Sequence, residues 1–139
     1  MRRLVPAGIV ATVALVALAA PASASFDRHF TVITNTIDSH PTADGFSFHD
    51  QLLQPFNRSN QIGNDRGHCR GGDVKVRCHV RVHLNGEVGG FGDLFISGNL
   101  GRHDARLNVT GGTDDFDRVA GKVVLRGGHK NRIHVDLTH

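Results

Sequence analysis

The chain has 139 residues, a formal net charge of +3, ten histidines, two cysteines, and no tryptophan or tyrosine. That length supports one small domain with one core. The slight charge excess and the missing Trp and Tyr argue against nucleic acid as a partner, because neither a basic channel nor a stacking platform has the residues it needs.

The chain opens with Met1-Arg2-Arg3, an apolar run from Leu4 to Ala20, and Pro21-Ala22-Ser23-Ala24. A basic start, a short apolar core and a small-x-small ending are the parts of a secretory signal peptide, expected to be cleaved after Ala24. Pro6 and Thr12 interrupt the run, and no later segment is apolar enough for a spanning helix. The expected organisation is therefore a signal peptide at 1–24 and a single secreted domain at 25–139. Cleavage removes Arg2 and Arg3 and brings the mature protein closer to neutral. No attraction to a membrane surface is expected after cleavage.

From residue 25 onward, short apolar runs alternate with Gly, Asn and Asp, and no sustained helical period occurs. This pattern predicts an all-β sandwich or barrel. The predicted strands are Phe30–Ile37, Phe46–Leu53, Gln61–Cys69, Val74–Leu84, Val88–Ser97, Ala105–Thr110, Gly121–Arg126 and Arg132–Leu137. The fourth is the clearest. Val74, Val76, Cys78, Val80, Val82 and Leu84 fall on one face, and Lys75, Arg77, His79, Arg81 and His83 on the other. Asn85-Gly86 follows and predicts a two-residue type I′ hairpin. Gly89, Gly90, Gly92 and Gly98 interrupt the fifth strand and predict bulges or bends there. Cys69 and Cys78 flank the turn-rich Arg70-Gly71-Gly72-Asp73, and export to an oxidising compartment predicts a disulfide across that hairpin. Closing so short a loop stabilises by about 2–3 kcal/mol.

Val109-Thr110-Gly111-Gly112-Thr113, continuing through Phe116 to Gly121 and Val123, reads V-T-G-G-T-D-D-F-D-R-V-A-G-K-V. It resembles the V-T-G-G-T-G-x-F/Y-x-G-A-R-G-x-V signature of the allene oxide cyclase and dirigent barrel families. Phe46-Ser47-Phe48-His49-Asp50-Gln51-Leu52 is similar to the F-x-D-x-L strand of those families. Gln61-Ile62-Gly63 with Gly67-His68-Cys69 resembles a segment of their secreted bacterial members, and Cys78 to Gly86 resembles their next hairpin. The resemblance implies a small, closed, calycin-like antiparallel barrel of eight strands, with an apolar small molecule in its lumen and often a trimeric assembly. Within the motif, Gly111 and Gly112 are expected to allow positive φ, Thr113 to fix the turn by a hydroxyl bond, and Phe116 to cover one end of the core, with Gly121 opening the next strand. Asp114 stands at a glycine position of the signature, and Arg118 and Ala120 replace its Gly and Arg.

The resemblance also points to a first-strand glutamate in the cyclases. Here the first strand offers Thr31, Thr34, Asn35 and Thr36, and the only glutamate, Glu87, lies in a hairpin. Allene oxide cyclisation is therefore not expected. Asp50 shares strand parity with Phe46, Phe48 and Leu52, so a regular strand points it inward, where burial would raise its pKa and fit it for general acid or base work. Alternatively, a bulge turns it outward or an arginine pairs with it. The expected ligand-lining residues are Phe46, Phe48, Val80, Val82, Leu107, Val109 and Val135. No metal or other cofactor is expected. His79 and His83 lie about 13 Å apart along a strand, and Asp114, Asp115 and Asp117 lack calcium-loop spacing.

The leading expectation is a binding module whose lumen takes an apolar small molecule and restrains its conformation. The rival is an isomerase or cyclase that uses Asp50, and a third reading is a structural protein with a solid barrel. Polar outer strand faces favour a monomer.

Overall fold

The computed structural model describes residues 29–71, 75–100, 104–126 and 132–138. The expected leader, the cleavage site after Ala24 and Val74 lie outside these residues. Eight strands form: β1 (His29–Thr42), β2 (Gly45–Leu53), β3 (Gln61–Gly71), β4 (Val76–Asn85), β5 (Phe91–Leu100), β6 (Asp104–Gly112), β7 (Ala120–Arg126) and β8 (Arg132–Thr138), with a one-turn 3-10 helix at Asp114–Phe116. They close into one barrel in chain order, every neighbouring pair antiparallel, with β1 completing the circle against β8. The closed eight-stranded antiparallel barrel is thus the observed fold. Closure leaves no free sheet edge where β1 and β8 pair, from His29↔Asp136 to Ile33↔Arg132.

Alternation along the strands builds the core. Val82 and Leu84 of β4, Leu94 and Ile96 of β5, Leu107 and Val109 of β6, Val123 of β7 and Val135 and Leu137 of β8 all lie in one buried cluster. Outer positions on the same strands, such as Arg81, Arg106 and Lys122, are exposed. Cys69 and Cys78 sit directly opposite one another, with Cα atoms 4.1 Å apart, and are joined by the expected disulfide. Both are buried on the inner face.

The Gly111–Phe116 segment plugs one end of the barrel. Gly111 has φ 148° and faces open space, whereas Gly112 is required by contact: a Cβ there would lie 2.4 Å from the Asp93 carbonyl oxygen and 2.5 Å from Phe116 Cβ. Positive φ at both glycines was the expectation, and only Gly111 adopts it. Thr113 and Asp93 bond reciprocally. The Thr113 N–H donates to the Asp93 carbonyl at 2.9 Å, and the Asp93 N–H donates to Thr113 Oγ1 at 3.1 Å. Phe116 is fully buried beneath this corner, in one cluster with Leu52, Leu84, Leu94 and Leu137. Asp114 (φ 55°) and Arg118 (φ 60°), which stand where the sequence signature has glycine, hold the left-handed backbone that glycine would favour.

Several local expectations are corrected. β1 runs to Thr42 rather than Ile37, because the β1–β2 hairpin continues to the Thr42↔Gly45 pair. The β4–β5 connection is not a two-residue turn: Asn85 pairs with Phe91, and residues 86–90 form the loop. Asn85 Oδ1 accepts the Glu87 N–H at 3.1 Å, and the longer loop lets Val88 pack on the core cluster. β5 therefore begins at Phe91, not Val88. Of the glycines expected to bulge or bend the fifth strand, Gly89, Gly90 and Gly92 bend the chain with positive φ, while the register shifts between strands fall at Ile37, Ile62 and Thr110.

Candidate functional site

Along the barrel axis the inner face changes character. At the plugged end Leu52, Ile62, Leu84, Leu94, Phe116 and Leu137 are at most 1% exposed. Toward the other end, where Ala43-Asp44 turn β1 into β2, the inner-facing Phe46, Phe48, Val76, Val80, Leu100 and Leu125 are only half-buried. Phe46 and Phe48 lie with ring centroids 6.1 Å apart, tilted by 37°. The Phe48 ring rests on Gly67, its register partner, where a Cβ would come within 2.2 Å of the ring. Glycine at 67 makes the recess that the ring occupies.

Between these two regions lies a carboxyl pair. Asp50 of β2 is directly opposite Asp65 of β3, and Asp65 is opposite Val82 of β4. Asp50 is 8% exposed and Asp65 2%. Oδ1 of each is buried without a hydrogen-bond partner. Burial raises the Asp50 pKa, against a hydrogen bond from Thr36 and the charge of His49. Asp65 is pushed up to about 7 by burial and by the Asp50 charge, against a backbone hydrogen bond from Asp50. Two buried carboxyl groups facing each other cannot both ionise cheaply, so near neutrality the pair retains a proton. It can then donate one hydrogen bond and accept another.

Sequence parity placed Asp50 on the inner side, and there it lies, turned outward by no bulge and with no arginine among the described groups that act on it. Asp65 was overlooked. Its signal was present: it shares parity with Gly67 and Cys69, the alternation of β3 that ends in the disulfide. Of the expected ligand-lining residues, Phe46, Phe48 and Val80 lie in the half-buried region, while Val82, Leu107, Val109 and Val135 are 4–6% exposed within the packed cluster. Val135 also borders a cleft of about 620 Å³ at the plugged end, with Phe30, Val88 and the fully exposed Phe56.

On the outer face, register rather than spacing brings histidines together. His68 is directly opposite His79. Among the described residues, no group of three or more His, Cys, Asp or Glu is placed to hold a metal ion. Arg81 Nη2 meets Asp93 Oδ2 at 2.5 Å and His83 Nδ1 lies 2.9 Å from Asp93 Oδ1, in a cleft of about 210 Å³ that Asn64 and Arg66 complete. The Arg81 hydrogen bond holds the Asp93 carboxyl below its usual range.

No protein-family model matches the chain. No curated protein matches it either. Among solved structures it is similar to one titled "Pyocyanin demethylase", with a TM-score of 0.65, 19% identity, and coverage of 79% of this chain and 99% of that one. At that identity the likeness establishes the shared small-barrel fold.

Proposed function

We propose that this barrel binds an apolar small molecule in the half-buried part of its inner face and restrains its conformation, with Asp50 and Asp65 as the polar groups at depth. The observation that carries this reading is the contrast along one inner face: leucines and Phe116 packed solid at one end, Phe46, Phe48 and Val80 half-buried at the other. Apolar walls with a few convergent polar groups are the usual composition of a small-molecule site. The Val109–Val123 signature agrees with it through its resemblance to allene oxide cyclase and dirigent barrels. So does the structural neighbour, whose title names a small molecule, pyocyanin. The Cys69–Cys78 disulfide fits an oxidising, extracellular setting, and the polar outer faces fit a monomer.

The test is titration of the full chain with pyocyanin and with the neutral dye Nile red, followed by fluorescence and by nuclear magnetic resonance of the Phe46 and Phe48 rings. Saturable binding that perturbs both rings, and that Gly67→Val weakens about ten-fold by displacing Phe48, is the expected result. Binding of neither probe, or ring shifts confined to Phe30 and Phe56 at the other end, would count against it.

A second reading is favoured by the unpartnered carboxyl oxygens. Here Asp50 and Asp65 act as general acid and base in an isomerase or cyclase reaction. In that case Asp50→Asn abolishes turnover and leaves the thermal midpoint nearly unchanged.

A further inference from the structure

Resting on the lumen-binding reading, we infer that the ligand of this barrel is an organic cation: an apolar body bearing a protonated nitrogen that donates hydrogen bonds to both Asp50 and Asp65. The inference begins with what the inner face lacks. Among the described strand residues, every Lys, Arg and His falls on outer parity, so no basic side chain shares the inner face with the carboxyl pair. The flanking positions are Thr36 of β1 and Val82 of β4. His49, next to Asp50 on β2, acts on it by charge. Neither of the other two titrates in the range of interest.

Two carboxyl groups in register, at most 8% exposed, each with an orphaned buried oxygen, are costly to hold without a partner. Natural cores satisfy such atoms with a counter-ion or a donor. None of the described residues supplies either at Oδ1, and a ligand that brings both would satisfy the pair at once. A protonated amine has two or three N–H donors in a compact group, enough to reach both oxygens. Phe46 and Phe48, tilted against each other in the half-buried region, would offer ring faces to the apolar body and to the cation itself. A metal ion fits less well, since among the described residues the two carboxylates have no third ligand placed with them. The pair near neutrality holds a proton that the ammonium group would displace into solvent, so binding releases protons.

The experiment uses the full chain and four probes: 2-phenylethylammonium, its neutral isostere 2-phenylethanol, calcium chloride and Nile red. Calorimetry at pH 7.5, in buffers of different ionisation enthalpy, is expected to show the ammonium binding at least about ten-fold more tightly than the alcohol, with proton release. That preference is expected to fall near pH 4.5, where Asp65 is protonated. The double variant Asp50→Asn/Asp65→Asn should lose the preference and keep Nile red binding. If the double variant fails to fold, Asp65→Asn alone should lower the preference. Equal binding of ammonium and alcohol to the native protein, while Nile red still binds, overturns the cation inference and leaves lumen binding standing. Competitive displacement of the ammonium by micromolar calcium overturns it in favour of an inorganic cation. Failure of Nile red as well removes the underlying lumen reading.

Discussion

Asp65 is the residue whose ionisation bears most on stability. Its pKa in the fold, about 7, stands above the ordinary carboxylate value of 3.8. The folded state therefore binds this proton more tightly than the unfolded chain does. The associated stability is fully present below about pH 4 and declines as pH rises toward 7. A shift of about three units corresponds to an effect on the order of 4 kcal/mol. Asn at this position cannot ionise, so Asp65→Asn is expected to be more stable than the native protein by about 1–3 kcal/mol at pH 8 and nearly equal to it at pH 4. Urea midpoints at the two pH values check this, and an unchanged difference across them would contradict it. Asp93 has the opposite sign. Its lowered pKa, from the Arg81 hydrogen bond, contributes stability above about pH 4 that is lost on acidification. An inner carboxyl tuned upward and an outer one tuned downward mark which face of the same sheet is dry.

Among the elements, the Gly111–Val119 corner joins sequence motif to architecture most directly. Thr113 ties β6 to β5 through Asp93, the Asp115 carboxylate accepts the Phe91 N–H at 2.8 Å, and Phe116 seals the core. Asp114 tolerates its positive φ through a short polar side chain, and its Oδ2 accepts the Thr113 hydroxyl at 2.9 Å. Arg118 is a long, exposed side chain whose guanidinium, among the described residues, meets the equally exposed neighbouring Asp117. A left-handed backbone at a long side chain costs about 1–2 kcal/mol. Arg118→Gly is therefore expected to stabilise the protein by about 0.5–1 kcal/mol, after the greater chain entropy of glycine is subtracted. Thermal unfolding of this single variant decides it, and a lowered midpoint would show that the backbone at 118 carries no strain.

For the whole molecule, the barrel divides into a packed end and a half-buried end within one continuous sheet. The packed end holds Leu52, Ile62, Leu84, Leu94, Phe116 and Leu137, each at most 1% exposed. At the other end the Cys69–Cys78 disulfide, opposite Phe46, is as deeply buried, and the β1–β2 hairpin carries exposed residues from Asn35 to Asp44. Stability should follow that gradient. Hydrogen exchange is expected to be slowest at the amides around Leu84, Leu94 and Leu137, and at least about ten-fold faster at Ser39 to Ser47. Uniform protection across both regions would contradict a division by packing.

Much of this architecture was legible in the chain, and the reason is period two. The alternation from Val76 to Leu84 and from Ile133 to Leu137 assigns inner and outer faces with no knowledge of neighbours, because successive strand side chains point to opposite sides. The disulfide was legible for a different reason, the two cysteines flanking a short turn-rich segment in a chain expected to be exported, and the structure places them opposite one another on adjacent strands. The inward placement of Asp50 was also readable. Its partner was not: Asp65 gains its meaning only from the register Asp50↔Asp65, and register depends on the Ile62 bulge and on closure of all eight strands. The five-residue Gly86–Gly90 loop likewise followed from Val88 packing on the core, which overrode the local turn preference of Asn85-Gly86. The sequence by itself determined which side chains face inward, because that is a property of each strand alone. Only the tertiary structure decided which of them meet, because that depends on how strands slide and bend to close the barrel.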